Sequence, residues 1–108
     1  MCKYDSLYFG DDGYVVRCNT CGNYQVAFLS TMLTLTQKDL DVLHKLILSR
    51  CNNELYEYGG NAKCITVPTP GKGINLILTK NEAMRFSEIL EDADTEVKAL
   101  ELLSLFNQ

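Results

Sequence analysis

Arg17-Cys18-Asn19-Thr20-Cys21-Gly22-Asn23 sets two thiols at C-x-x-C spacing, with glycine directly after the second. Aromatic and β-branched residues flank it on both sides, Tyr14-Val15-Val16 before and Tyr24-Gln25-Val26-Ala27-Phe28 after. A C-x-x-C pair at the start of a helix belongs to redox chemistry, because the helix dipole lowers the pKa of the first thiol. The same pair between two strands reads as a tight knuckle whose sulfurs can face one metal ion. Strands on either side therefore select an antiparallel sheet and make the turn between them the first candidate site.

Upstream, Tyr4 to Phe9 and Tyr14 to Cys18 flank Gly10-Asp11-Asp12-Gly13, a strong turn signal, and predict a β-hairpin. If Phe9 faces Tyr14, the register puts Leu7 opposite Val16, Ser6 opposite Arg17 and Asp5 opposite Cys18. Continued to the start of the chain, it puts Cys2 opposite Cys21, so that Cys2, Cys18 and Cys21 meet at the hairpin's open end. A one-residue slip removes that convergence.

Downstream, Tyr24 to Leu29 is a strand with Tyr24, Val26 and Phe28 on one face. After a bend at Ser30-Thr31, Met32 to Leu35 continues as extended chain. Thr36 reads as a helix N-cap, with Asp39 as a weak form of the capping-box acid. The helix runs to about Arg50 and carries Leu40, Leu43 and Ile47 inward, broadened by Leu46. Asn52 to Ala62 is a polar, glycine-bearing loop. Lys63 to Val67 and Ile74 to Thr79 form a second hairpin around Pro68-Thr69-Pro70-Gly71-Lys72-Gly73, with Val67 opposite Ile74 and Ile65 opposite Leu76. Thr79 and Glu82 have capping-box spacing. The helix after them carries Phe86, Ile89, Leu90 and Ala93 inward, with a kink or restart expected near Asp92 to Thr95. Val97, Leu100, Leu103 and Phe106 continue its stripe.

These elements predict an α+β fold: an antiparallel sheet of five to six short strands with helices packed on one face. Their order is β-β-β-(β)-α-β-β-α, in a single domain over residues 1–108. The chain's 46% hydrophobic and 22% charged residues match ordinary globular composition. A net charge of −4 weighs against nucleic acid, since fourteen acids outnumber ten scattered bases. No apolar run approaches the roughly 20 residues that cross a bilayer. Met1-Cys2-Lys3-Tyr4-Asp5 lacks the apolar stretch of a signal peptide, and five unevenly spaced cysteines do not form a secreted disulfide framework. The expected setting is the cytoplasm.

The knuckle admits three readings: a zinc site using Cys2, Cys18 and Cys21, a turn with two unliganded thiols, or a thiol-based redox pair. Gly22 discriminates, since a turn there favours the knuckle and a helix start favours redox chemistry. No fourth metal donor is evident. His44 lies beside the core stripe of its helix, and Cys51 and Cys64 read as small apolar residues of the interior. The loop around Gly71-Lys72 fails the Walker pattern, because Thr66 stands where the first glycine belongs and Gly73 where Ser or Thr belongs. Glu88, Glu91, Asp92, Asp94 and Glu96 read as a solvated helix face. A nucleophilic triad would have to use His44, and no nucleophile elbow accompanies it. No catalytic residue is assigned. The last stretch, Leu100 to Phe106, is apolar on more than one side, and predicts a homodimer in which Leu102 and Leu105 meet a second copy.

Cys2, Gly13-Tyr14-Val15, the Cys18/Cys21 pair, Val67-Pro68-Thr69-Pro70 and Glu91-Asp92-Ala93-Asp94-Thr95-Glu96 through Leu105-Phe106 together resemble a small uncharacterised family from Bacteroidetes, a domain of unknown function. The resemblance covers nearly the whole chain and implies no established activity, cofactor or partner. The reading from the residues is a small non-enzymatic cytoplasmic module with a cysteine knuckle, with the redox protein as its alternative.

Overall fold

The computed structural model describes residues 3–52, 62–63 and 65–107. The elements follow the expected α+β order: β1 (Tyr4–Gly10), β2 (Gly13–Cys18), β3 (Tyr24–Phe28), β4 (Thr31–Leu35), α1 (Gln37–Cys51), β5 (Ile65–Pro68), β6 (Asn75–Leu78) and α2 (Lys80–Phe106). Among the described residues, the six strands divide into a four-stranded antiparallel sheet, β1-β2-β3-β4, and a two-stranded hairpin, β5-β6. The chain forms two compact units, one of residues 1–36 and 89–108 and the other of residues 37–88. Most of the loop expected over Asn52 to Ala62 lies outside the described residues, as do Cys2 and Cys64.

In the first unit the cross-strand rows assign the two faces of the sheet. Val15 pairs with Val26 and Tyr24 with Leu35, and all four are buried. Phe9 pairs with Tyr14, Tyr14 with Ala27 and Ala27 with Met32, which makes one row across the opposite face. The first hairpin turns at Gly10–Gly13 with Phe9 opposite Tyr14, as the turn residues demand. Beyond that the register departs from expectation. A β-bulge between Ser6 and Tyr8 sets Ser6 opposite Val16, Asp5 opposite Arg17 and Tyr4 opposite Cys18. The cause is Leu7. An unbroken strand would put it on the same face as Phe9, whereas the bulge lets it enter the core, where it is buried. The convergence of Cys2 on Cys21 therefore does not follow from strand register.

The second unit pairs Ile65 with Leu78 and Val67 with Leu76. This register is two residues from the expected one, so the faces are conserved and the predicted apolar side survives. The reason is a longer-reaching turn. The Thr69 N–H donates to the Ile74 carbonyl at 3.2 Å, and the Thr69 hydroxyl donates to the same oxygen at 2.7 Å. Ile74 thus closes the loop and is exposed, instead of pairing with Val67. Leu43 and Ile47 of α1 are buried, as their helical spacing requires.

The capping box at the start of α2 is complete. The Glu82 N–H donates to the Thr79 hydroxyl at 3.0 Å, and the Thr79 N–H donates to the Glu82 carboxylate at 2.9 Å. The Lys63 ammonium also pairs with that carboxylate. These bonds, the Lys63 one first, hold the Glu82 carboxyl below its ordinary pKa. The stabilisation they give is present above the ordinary carboxyl range and is lost as pH falls through the depressed value. Thr79→Ala is expected to cost about 1 kcal/mol, read as a lower urea midpoint at pH 7. The deficit should change little in acid, because the lost hydroxyl accepts from the Glu82 N–H while the Thr79 N–H still donates to the carboxylate; a deficit that vanished in acid would assign the loss to the carboxylate instead.

Helix α2 runs without interruption through Asp92 to Thr95, where a kink was expected. The Thr95 hydroxyl donates to the Glu91 carbonyl at 3.0 Å, which satisfies it inside the helix. Phe86, Ile89, Leu90, Ala93 and Val97 are buried as the stripe predicts, but Leu103 and Phe106 are exposed, a correction to the inward stripe. Among the described residues, no helix is long and apolar enough to cross a membrane.

Candidate functional site

The sequence from Cys18 to Asn23 folds as a knuckle. The Gly22 N–H donates to the Cys18 carbonyl at 2.9 Å, and the Cys18 N–H donates to the Asn23 carbonyl at 2.8 Å, which folds the chain back on itself before β3 begins. Gly22 has φ +79°, a left-handed conformation that glycine adopts without steric cost. Inside the loop the Cys21 N–H points at the Cys18 sulfur, 3.4 Å away. A backbone donor aimed at that sulfur is the kind of outer-shell contact that a metal-bound thiolate would accept. Gly22 sits in a turn, not at a helix start, so the local geometry lacks the helix dipole on which thioredoxin-type chemistry depends.

The first described residue is tied to this loop: the Asn19 N–H donates to the Lys3 carbonyl at 2.8 Å. The expected ligand Cys2 itself lies outside the described residues. Among the described residues no group of three or more Cys, His, Asp or Glu is placed to hold a metal, so the knuckle brings together two of the expected donors, Cys18 and Cys21.

The two sulfurs differ in state. Cys18 is almost fully buried and is disulfide-bonded. Cys21 is exposed and retains its thiol. A metal and a disulfide compete for the same Cys18 sulfur, so metal binding here is a property of the reduced chain. Cys51, on α1, is half-buried, and burial raises its pKa, partly opposed by the Lys80 charge. Its partial burial is in keeping with a packing role. His44 is half-buried on α1, the boundary position its sequence predicts.

In the second unit, Val42, Leu43 and Leu46 of α1 and Pro68 to Pro70 line a hollow of about 210 Å³. That is below the roughly 300 Å³ at which small-molecule sites begin. In the first unit, the row Phe9, Tyr14, Ala27 and Met32 exposes apolar side chains on the outer face of the sheet. The signal for it was present in the sequence: Tyr14-Val15-Val16 is apolar on both faces of a strand, so one of those faces had to meet solvent or a partner.

No curated protein and no solved structure matches the chain. A family model described as a family of unknown function, DUF6686, matches residues 1–107, and the chain belongs to that family.

Proposed function

We propose that the chain is a small non-enzymatic binding module of the cytoplasm, whose N-terminal hairpin is locked by a zinc ion on Cys2, Cys18 and Cys21 plus one further donor. The observation that carries this reading is the knuckle, with its Cys21 N–H aimed at the Cys18 sulfur and its left-handed glycine next in sequence. Thiolate donors select zinc among the common divalent ions, and a reducing compartment keeps Cys18 available as thiolate. The Lys3–Asn19 bond supports Cys2 as the third ligand, since it holds the residue after Cys2 to the knuckle loop. A closed thiolate site is structural, with the metal supplying folding energy in place of a larger core.

Protein purified under reducing conditions without chelator is expected to carry about one zinc per chain by elemental analysis. Cys18→Ser should abolish the metal, Cys51→Ser should retain it, and chelator should lower the melting temperature of the wild type. Metal-free protein whose melting temperature ignores chelator would reject the reading.

The Cys18 disulfide favours a second reading, a thiol redox protein. Here the Cys21 thiolate attacks the Cys18 sulfur and a Cys18–Cys21 bond forms. The present Cys18 disulfide breaks, and the displaced thiolate takes up the proton that Cys21 gave up, with no net change in oxidation state. Non-reducing peptide mapping separates the two: a Cys18–Cys21 pair that accumulates on mild oxidation supports exchange, and its absence removes this alternative.

A further inference from the structure

We propose that two copies of this chain form a reciprocal dimer, in which the exposed end of α2 from each copy lies on the outer sheet face of the other. Arg17 shares the inner row with Tyr24 and Leu35, and its guanidinium reaches the Glu101 carboxylate of α2 at 3.8 Å. The helix therefore lies on the inner face of its own sheet. It leaves the outer row uncovered, with Phe9 82% and Met32 51% exposed, and Tyr14, Val16 and Ala27 half-exposed between them.

The helix carries a second exposed apolar surface. Its buried stripe of Ala93 and Val97 continues by helical spacing to Leu100 and Ser104. Leu102, Leu103, Leu105 and Phe106 fall off that stripe, and each is more than half exposed. From Glu101 onward every described residue is exposed, so about 9 Å of helix presents leucine and phenylalanine to solvent. Two apolar surfaces in one unit, on opposite sides of the sheet, cannot cover each other within one chain. Two chains related by a two-fold axis can cover both at once.

Area decides between this arrangement and simple pairing of the two helix ends. At about 100 Å² per buried leucine-sized side chain, two helix ends alone bury roughly 800 Å² in total, the size of a crystal-packing contact. Adding a sheet face from each copy brings the total to roughly 1,600 Å², that of a standard specific interface. The helix end extends the expected homodimer contact at Leu102 and Leu105 to a partner surface on β1 to β4. Nothing in it depends on the knuckle or its metal.

Sedimentation equilibrium of the full chain at micromolar concentration is expected to give the dimer mass. Met32→Glu on the sheet and Leu102→Glu on the helix should each shift it to the monomer mass with unchanged far-UV circular dichroism. To locate the contact, p-benzoyl-phenylalanine replaces Phe106, and light-labelled chains are mixed with isotopically heavy ones. The photo-crosslink should join position 106 of one copy to the β1–β4 segment around Phe9 or Met32 of the other. A monomeric wild type overturns the proposal. So does a dimer indifferent to Met32→Glu, or crosslinks that land only on the other copy's α2.

Discussion

Gly13→Ala is expected to lower the melting temperature by on the order of 15 °C, which corresponds to a cost of about 3 kcal/mol or more. Gly13 belongs to β2 and faces Phe28 across the sheet. A Cβ built on it would stand 2.0 Å from the Ala27 carbonyl oxygen and 2.9 Å from the carbon of that group. Both are backbone atoms of a paired strand, so relief requires β2 and β3 to separate. Gly71→Ala is the internal comparison. Its added carbon meets the Ile74 Cδ1 at 3.2 Å, the far end of a flexible side chain. It should stay within about 0.5 kcal/mol of wild type. Thermal denaturation of the two variants side by side checks this, and equal melting temperatures would refute the backbone-contact argument.

That glycine shows how the sequence could be right about a position for an incomplete reason. Gly10-Asp11-Asp12-Gly13 marked a turn, and a turn is there, but what excludes a side chain at Gly13 is the carbonyl of a strand 14 residues further on. The order of elements was legible because each rests on local signals: the turn residues, the alternation in β3, the stripe of α1 and the Thr79–Glu82 box. Registers were legible only modulo packing. Leu7 carries no local mark of a bulge, and only the depth of the core it enters selects one. The slip of two residues in the second hairpin arises the same way, from bonds of Thr69 to Ile74 that composition does not announce. At the candidate site, the turn at Gly22 followed from glycine's conformational freedom and the strand flanks. The bond from the Cys21 N–H to the Cys18 sulfur did not, because the direction of a single N–H depends on the whole loop.

Phe86→Ala is expected to cost about 3–5 kcal/mol, whereas Phe106→Ala should leave monomer stability within about 0.5 kcal/mol of wild type. Both phenylalanines belong to one unbroken helix, and helical spacing alone predicts both on the inward stripe. The structure separates them completely: Phe86 has no exposed surface and Phe106 is 82% exposed. Removing the Phe86 ring leaves a cavity in the interior of its unit, where Ala83 of the same helix is also fully buried, and adds that cavity to the lost transfer energy. Removing the Phe106 ring leaves no cavity, because solvent already surrounds it. Periodicity gives the direction in which a residue points along its helix; whether anything stands there depends on how far the protein extends beneath it. Urea denaturation at a concentration low enough to hold the chain monomeric tests the contrast. Equal losses would place Phe106 in a core, whereas a Phe106→Ala loss confined to concentrations at which the chain associates would assign its apolar surface to the second copy.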